Sequence, residues 1–517
     1  MTMSSPIPTP GSPEEHKAFA ALQARLPALY QRVFPHRLEP RTVVVLPSLT
    51  FDSAVIERLT GLPHYEERLL CMLMLLRLPR TRVIYLTSTP LHSSIVDYYL
   101  HLLTGVPSSH ARRRLVTISC HDATQRTLTS KLLERPRLMD RIREAIGDPH
   151  DAHLSCFTVN AEERTLAVQL GIPIYGCDPA LADLGSKSGS REIFREAGVP
   201  LPDGRERLRD VGDVAEALAE LRGRDPELRR AVVKLEEGVS GEGNAVFRFE
   251  GAPSGGPGLQ RWIEESLPKD LRFESDGMNW DLYSSKYAEM GGIVEAWLEG
   301  DRKTSPSGQG RIDPLGSFEM ISTHDQILGG PSGQVFKGCT FPAAADYRLD
   351  IQDITRRVGE VLAKRGALGR FGVDVVSVPR GTGWEHRAIE INLRKGGTTH
   401  PFQTLEFLTD GRYDEETGTF RIPTGQERAY FATDNLYKAE YRRLTPVDLV
   451  DVVVDHELHF HGATQNGVVF HMLGALAGYG KLGMVCVDET TEKAEAMYDD
   501  TVQLLDRAAA EGMPEGD

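Results

Sequence analysis

Glu390, Asn392 and Arg394 alternate with Ile391 and Leu393 in the stretch "EHRAIEINLRKGGTTHP", residues 385–401. On an extended strand alternate side chains share a face, so a carboxylate, a carboxamide and a guanidinium would project together while the apolar pair turns to a core. A second carboxylate, Asp374, lies in "FGVDVVSV", and the turn "GTGW" falls midway between it and Glu390. An antiparallel hairpin would bring Asp374 level with Glu390 and Asn392, with one residue of register left open. Two carboxylates and an amide oxygen form a hard, oxygen-only donor set. Such a set suits Mg²⁺, with Mn²⁺ as the alternative, the remaining ligands coming from water and substrate phosphates. Arg394, permanently charged and planar, could grip a phosphoryl oxygen as charge develops. The plainer reading is an amphipathic edge strand whose carboxylates pair with Arg394 as a solvated network.

Lys234 ends the run Ala231-Val232-Val233, which reads as a buried strand. A buried, unpaired ammonium is costly, and a phosphate would supply the missing charge. Four residues on, "GVSGEG" offers Gly238, Ser240, Gly241 and Gly243 as a loop whose amides could close over phosphates; an ordinary hairpin turn is the alternative. Lys187, in "GSKSGS" before a helix, is a candidate second phosphate cation, or a surface lysine. "IVEAWLEG" places Glu295 and Leu298 on an apolar strand beside which an adenine ring could lie, if it is not simply a core strand. Arg311, in "GQGRIDP", is a candidate clamp for a carboxylate or acylphosphate, against the alternative of a surface arginine. No side chain stands out as the base for an amine.

Other groups carry less. His456, His459 and His461 include two imidazoles that would share a strand face, but no third ligand stands at a metal-site spacing. "GYGKLG" lacks the phosphate-loop spacing. His324–Gln326 reads as a polar turn or as part of an acceptor site.

The elements that must position these residues fall into three regions. Residues 1–37 read as a disordered or helical tail, its first fifteen or so residues Pro/Ser-rich and disordered. Over 38–183, apolar bursts at 42–46, 82–88, 114–119, 154–160 and 172–176 alternate with helical patterns, as in a parallel, doubly wound sheet. No GxGxxG turn follows the first strand, so a dinucleotide site is unsupported. Over 184–410 the pattern is α+β, with helices at 210–223 and 351–366, a Gly/Pro/Ser loop at 252–259, and the hairpin carrying Asp374 and Glu390. A smaller segment, 411–517, predicts strands near 450–460 and 483–487 and a helix near 490–510.

The chain has 517 residues, and 59 Lys+Arg against 74 Asp+Glu give a net charge of −15. That balance argues against a nucleic-acid or anionic-membrane partner. Six scattered cysteines without a CxxC predict reduced, buried thiols. The N-terminus has no signal-peptide pattern, and the longest apolar run, 69–76, is too short to cross a bilayer. The cytoplasm is the expected compartment.

The order Lys187, Lys234 with its glycine loop, Glu295, Asp374, then Glu390-x-Asn392 resembles the ATP-grasp superfamily over about residues 186–405. The resemblance implies ATP phosphates at Lys187 and Lys234, adenine at Glu295 and Leu298, and Mg²⁺ at Asp374, Glu390 and Asn392. Seven residues beyond Glu295, where many members keep an acidic ribose contact, stands Arg302; Glu299 or Asp301 would take that role. More narrowly, "SPSGQGRIDPLG", "STHDQILGGPSGQVFKGCTFPA" and "GVVFHMLGALAGYGKLGMVCVDET" resemble the pheganomycin-type peptide ligases. These join a pre-ATP-grasp domain, an ATP-grasp core and a small C-terminal domain. The implied activity is ADP-forming ligation of a carboxylate to an amine, an amino acid to an amino acid or peptide, in specialised peptide biosynthesis. Catalysis would use Arg394, Arg311 and Lys234, with small-molecule partners and a homodimer as the candidate assembly. The competing expectations are a small-molecule kinase on the same clamp and a nucleotide-binding scaffold that has lost catalysis.

Overall fold

The computed structural model describes residues 7–50, 56, 59–238, 243–275, 277–300, 302–329 and 335–511. Four parallel strands, β1 (Arg41–Leu46), β2 (Thr81–Thr87), β3 (Leu115–Ser119) and β4 (Ala152–Cys156), form the first sheet in the order β3-β2-β1-β4. All six residues of β1 are buried. Val43, Val45, Val83 and Tyr85 enter one apolar core, while Val44, Leu46, Ile84 and Leu86 enter another. Successive side chains of a strand point to opposite faces, so this sheet is covered on both, as its apolar runs predict. The expected fifth strand at 172–176 is reduced to a bridge between Leu154 and Ile174.

The N-terminal tail takes its helical alternative, and order begins slightly before residue 15. Residues Pro13–Gln23 and Leu26–Val33 are helices, and Glu15 is buried, accepting hydrogen bonds from Arg164 Nε (3.1 Å) and Thr165 Oγ1 (2.6 Å). The Ser12 cap and the apolar face of Phe19 order a stretch whose prolines suggested disorder. The apolar run at 69–76 lies in a buried 3₁₀ helix, Glu66–Arg77.

A five-stranded antiparallel sheet follows, ordered β5-β9-β6-β7-β8: β5 (Gly204–Leu208), β6 (Arg230–Leu235), β7 (Asn244–Arg248), β8 (Arg272–Phe273) and β9 (Gly292–Ala296). The helix Val211–Arg224 packs Val214, Ala215, Leu218 and Leu221 against it. The supposed loop at 252–259 gives way at Pro257 to the helix Pro257–Asp270.

The central platform is an eight-stranded antiparallel sheet. Its strands β10 (Pro306–Ile312), β11 (Phe318–Gly329), β12 (Val335–Phe341), β13 (Gly369–Arg380) and β14 (Gly383–Asn392) come from the middle of the chain. After the short ribbon β15 (Arg412–Asp414) and β16 (Thr419–Arg421), the strands β17 (Ala429–Tyr437), β18 (Gly467–His471) and β19 (Lys481–Asp488) complete it. The order is β14-β13-β10-β11-β12-β17-β19-β18. One face packs on the helix Arg348–Lys364 through Ile351, Ile354, Val358 and Leu362; the other meets the helix Thr399–Thr409 through Phe402 and Leu405. A Cβ at Gly308 would collide with Thr355 of the first helix, so only glycine lets that helix sit so close.

Near 450–460 a strand was expected, but residues Pro446–Asp455 form a helix. Thr445 and Asp448 build a capping box, and Leu449 and Val453, four apart, are the buried pair. Capping and spacing override the β-branched run. Among the described residues no helix is long and apolar enough to cross a membrane, and all six cysteines are free and buried.

Candidate active site

The hairpin β13–β14 closes the register that the sequence left open: Asp374 pairs with Glu390, and Gly372 with Asn392. A bulge beyond Asp374 matches Val375 to Ala388 and leaves Ile389 unpaired. Bulges redirect side chains beside sites. Asp374 Oδ2 accepts a hydrogen bond from Asn392 Nδ2 (2.9 Å), and Asp374 Oδ1 one from Gln326 Nε2 (2.8 Å) on β11. Burial, with the charge of Glu390 beside it, raises the Asp374 pKa to about 6; Arg394, Gln326 and Lys187 hold it from rising further.

Glu390 behaves oppositely. Burial resists its ionisation, but Lys187, Lys234 and Arg394 outweigh burial and bring its pKa below the usual carboxylate value. The Lys187 ammonium donates to Glu390 Oε1 at 2.7 Å. Lys187 opens the helix Lys187–Glu196, whose N-terminus is capped by Ser186 accepting from Gly189 N (3.0 Å). This helix is tied to the end of β6 by Glu236, which accepts from Ser188 N (2.7 Å) and Ser188 Oγ (2.6 Å). Two structural units therefore meet at Glu390. Arg394 follows β14; burial lowers its pKa, and Glu390 and Asp374 oppose that shift.

Three sequence readings require correction. The Lys234 ammonium, expected to be unpaired, is buried in an ion pair with Glu295. Glu295, expected to face an adenine amine, is engaged on its other oxygen by Arg191 Nη1 (3.1 Å), since its strand sits beside both β6 and the Lys187 helix. Leu298 lies half-buried beyond the end of that strand. Arg311 stands opposite Arg370, four residues from Asp374 along β13, which is roughly 13 Å at strand rise. It pairs with Glu319 and lies 6.0 Å from the Phe34 ring, so it does not join the carboxylate cluster.

Other expectations resolve simply. Glu299 is held by Arg230, whereas Asp301 lies outside the described residues. Gly238 and Gly243 flank the β6–β7 turn, with Gly243 O accepting from Leu235 N (2.9 Å); Ser240 and Gly241 lie outside the described residues. Residues 324–326 belong to β11 rather than to a turn. His456 Nδ1 donates to its own helix at Val452 O (2.8 Å), while His459 and His461 sit on separate bridges. Among the described residues no group of three or more His, Cys, Asp or Glu side chains is gathered as metal donors. The set at hand is two carboxylates plus a carboxamide, an oxygen-only arrangement that fits Mg²⁺ or Mn²⁺ and would not favour zinc.

The chain is 32% identical over 485 residues to L-propargylglycine–L-glutamate ligase of Streptantibioticus cattleyicolor, covering 91% of this chain and 95% of that protein. The family model "IQCH-like, ATP-grasp" matches residues 179–250 and 270–416. The chain belongs to the pheganomycin-type ATP-grasp ligases. It is thus an ATP-dependent carboxylate–amine ligase, which disfavours the kinase and the lapsed scaffold. A "PGM1 C-terminal domain" model matches residues 448–501 of this ATP-grasp ligase. IQ motif-containing protein H of Danio rerio is 25% identical over 430 residues, which span 75% of this chain but 40% of that longer protein. In fold, the biotin carboxylase–β,γ-ATP complex from Campylobacter jejuni superposes with a TM-score of 0.54 at 12% identity, covering 90% of this chain and 91% of that one. An ADP complex of N5-carboxyaminoimidazole ribonucleotide synthetase gives 0.50 at 12%, covering 91% and 98%.

The site of the ATP-grasp ligase also includes Glu236 and Arg191, which the sequence reading passed over, and Gln326, which it placed in a polar turn or an acceptor site. Gln326, Glu236 and Arg191 hold Asp374, the Lys187 helix and Glu295 in place. Gln326 and Arg191 reach partners 48 and 104 residues away, so local spacing carries no signal for them.

Proposed function

We propose that the protein activates the carboxylate of one amino acid as an acylphosphate at the expense of ATP and joins it to the amine of a second amino acid. The pairing of Asp374 with Glu390, next to Asn392 and Lys187, carries this reading. The relative's name, which pairs L-propargylglycine with L-glutamate, supports amino acids as both partners. Asp374, Glu390 and Asn392 would hold Mg²⁺, which when bound neutralises phosphate charge. Lys187 and Lys234 would exchange their carboxylates for phosphate oxygens, and Arg394 would steady the transferring phosphoryl group. The carboxylate oxygen takes the γ-phosphoryl group and ADP leaves; the amine then attacks the acyl carbon and phosphate departs. The glycine turn at the end of β6 would exclude water from the intermediate. The free, buried cysteines support a reducing compartment such as the cytoplasm.

The experiment is incubation with ATP, Mg²⁺ and a pool of amino acids including L-propargylglycine, followed by mass spectrometry. ADP with a condensed product is expected, and Glu390→Ala should abolish both. A stable phosphorylated product, or undiminished turnover in the variant, would refute the reading.

A further inference from the structure

Arg68 and Asp434 come from opposite ends of the chain and form an ion pair at 3.0 Å with both side chains buried. Arg68 rises from the 3₁₀ helix Glu66–Arg77 of the first unit, and Asp434 lies on β17 of the central platform. The guanidinium is placed by aromatic rings: it sits 4.3 Å from the Phe157 centroid and 4.9 Å from that of Tyr65. Its Nε donates to Tyr65 O (3.4 Å) and its Nη1 to Asp434 Oδ2.

The pair is half used. Among the described residues, Arg68 Nη2 and Asp434 Oδ1 have no hydrogen-bond partner, and neither belongs to the polar atoms sealed from solvent. A pure clamp would close as a two-bond fork, the strong geometry for arginine with a carboxylate. Here one donor and one acceptor of opposite charge remain unbonded on a pair that is otherwise buried. The position borders the reaction centre. Phe157 O accepts from Lys395 N at 3.2 Å, and Lys395 follows Arg394 directly. On the sheet, Tyr430, Ala432 and Asp434 share a face; Ala432 pairs with Cys339, and Cys339 with Gln326, which holds Asp374.

We propose that Arg68 and Asp434 read the α-carboxylate and α-ammonium of the amino acid that supplies the attacking amine. The inference rests on the ligase reading above and adds the class of acceptor, a free α-amino acid. A neutral ion pair can receive a zwitterion without leaving a net buried charge. Of the two substrates, a donor activated at its α-carboxyl group surrenders that carboxylate to phosphate. The acceptor keeps its own throughout and so needs a cation that phosphoryl transfer does not occupy. Arg68 would take that carboxylate on Nη2, and Asp434 would orient the ammonium on Oδ1 until it releases a proton to solvent and, as the neutral amine, attacks the acyl carbon with phosphate leaving.

The test uses the full chain and the acceptor identified in the pooled assay, supplied as the free acid and as its α-carboxamide. Donor activation is followed separately by trapping the acylphosphate with hydroxylamine. The wild type should prefer the free acid by at least about 100-fold in kcat/KM. Arg68→Gln should reduce that preference to within a few-fold, Arg68→Lys should restore part of it, and Asp434→Asn should raise the acceptor KM at least tenfold. Hydroxamate formation and the melting temperature should hold within about twofold and a few degrees. A wild type indifferent to the amide overturns the inference even if no variant folds. So does a parallel loss of hydroxamate, which would mark the pair as structural. Absence of any condensed product in the wild type would instead defeat the ligase reading itself.

Discussion

Asp374 and Glu390 face each other across one rung of a hairpin, yet their proton affinities are pushed in opposite directions. Asp374 titrates at about 6 because burial and Glu390 penalise its charge. A cation must displace that proton, so below pH 6 the two compete. Apparent Mg²⁺ affinity, or Mn²⁺ affinity followed by electron paramagnetic resonance, should rise about tenfold per pH unit up to pH 6 and flatten above it. Asp374→Asn should remove the slope. Glu390→Gln keeps the shape but removes the charge that Lys187 neutralises. We expect at least about a 1,000-fold loss of kcat, measured by ADP release, because the substitution removes both a metal ligand and charge stabilisation in the transition state. Local spacing announced these residues, since a strand's two-residue period and a midway turn suffice to bring Asp374 to Glu390. The same period could not reveal that Lys234 already has Glu295 as partner, because that pairing depends on β9 lying beside β6.

At the level of single elements, two helices show what a cap decides. The helix Ala161–Leu170 starts at a capping box of Asn160 and Glu163, and its pattern is plain in the sequence. Glu163 is also buried, accepting from Thr50 Oγ1 (2.7 Å) and Thr129 Oγ1, and burial raises its pKa to about 7 against those bonds. The folded chain thus holds this proton more tightly than the unfolded one. The stability it contributes is fully present below the ordinary carboxylate pKa and is lost as pH rises through about 7. Urea midpoints should fall between pH 5 and pH 8 by the equivalent of about 2 kcal/mol, and Glu163→Gln should flatten that part of the slope. The helix Pro446–Asp455 was illegible for the converse reason: its valines favour a strand, and the Thr445 cap with the buried Leu449–Val453 pair tips the balance. Thr445→Ala should cost about 1 kcal/mol in urea denaturation.

Across the whole molecule, the strands of the final third are structural members of the central platform. β17 pairs with β12 through Cys339–Ala432 and Phe341–Tyr430, joining the last three strands to the five that carry the site. A chain ending at residue 424 would expose the β12 edge and uncover the cluster around Phe341, Phe402 and Phe420. Such an edge invites pairing with other chains. We expect the truncated chain to aggregate, read by size-exclusion chromatography, instead of retaining nucleotide binding. Composition and alternation suggest three regions and carry no sign of this shared sheet. The contacts that join regions, such as Lys481 Nζ donating to Tyr65 OH (2.5 Å) and Gly474 N donating to Glu67 Oε2 (2.9 Å), link residues more than 400 apart.

Because Lys187 rests on Glu390 and Lys234 on Glu295, the cluster already satisfies its own charges. A nucleotide arriving bare would strip ammonium groups from their carboxylates, and a lone dication would have to evict one. At Glu390 the two together exchange partners without stranding a charge, while Glu295 keeps Arg191. Each should therefore strengthen the other's binding by the same factor, a reciprocity that calorimetric titrations in either order can measure.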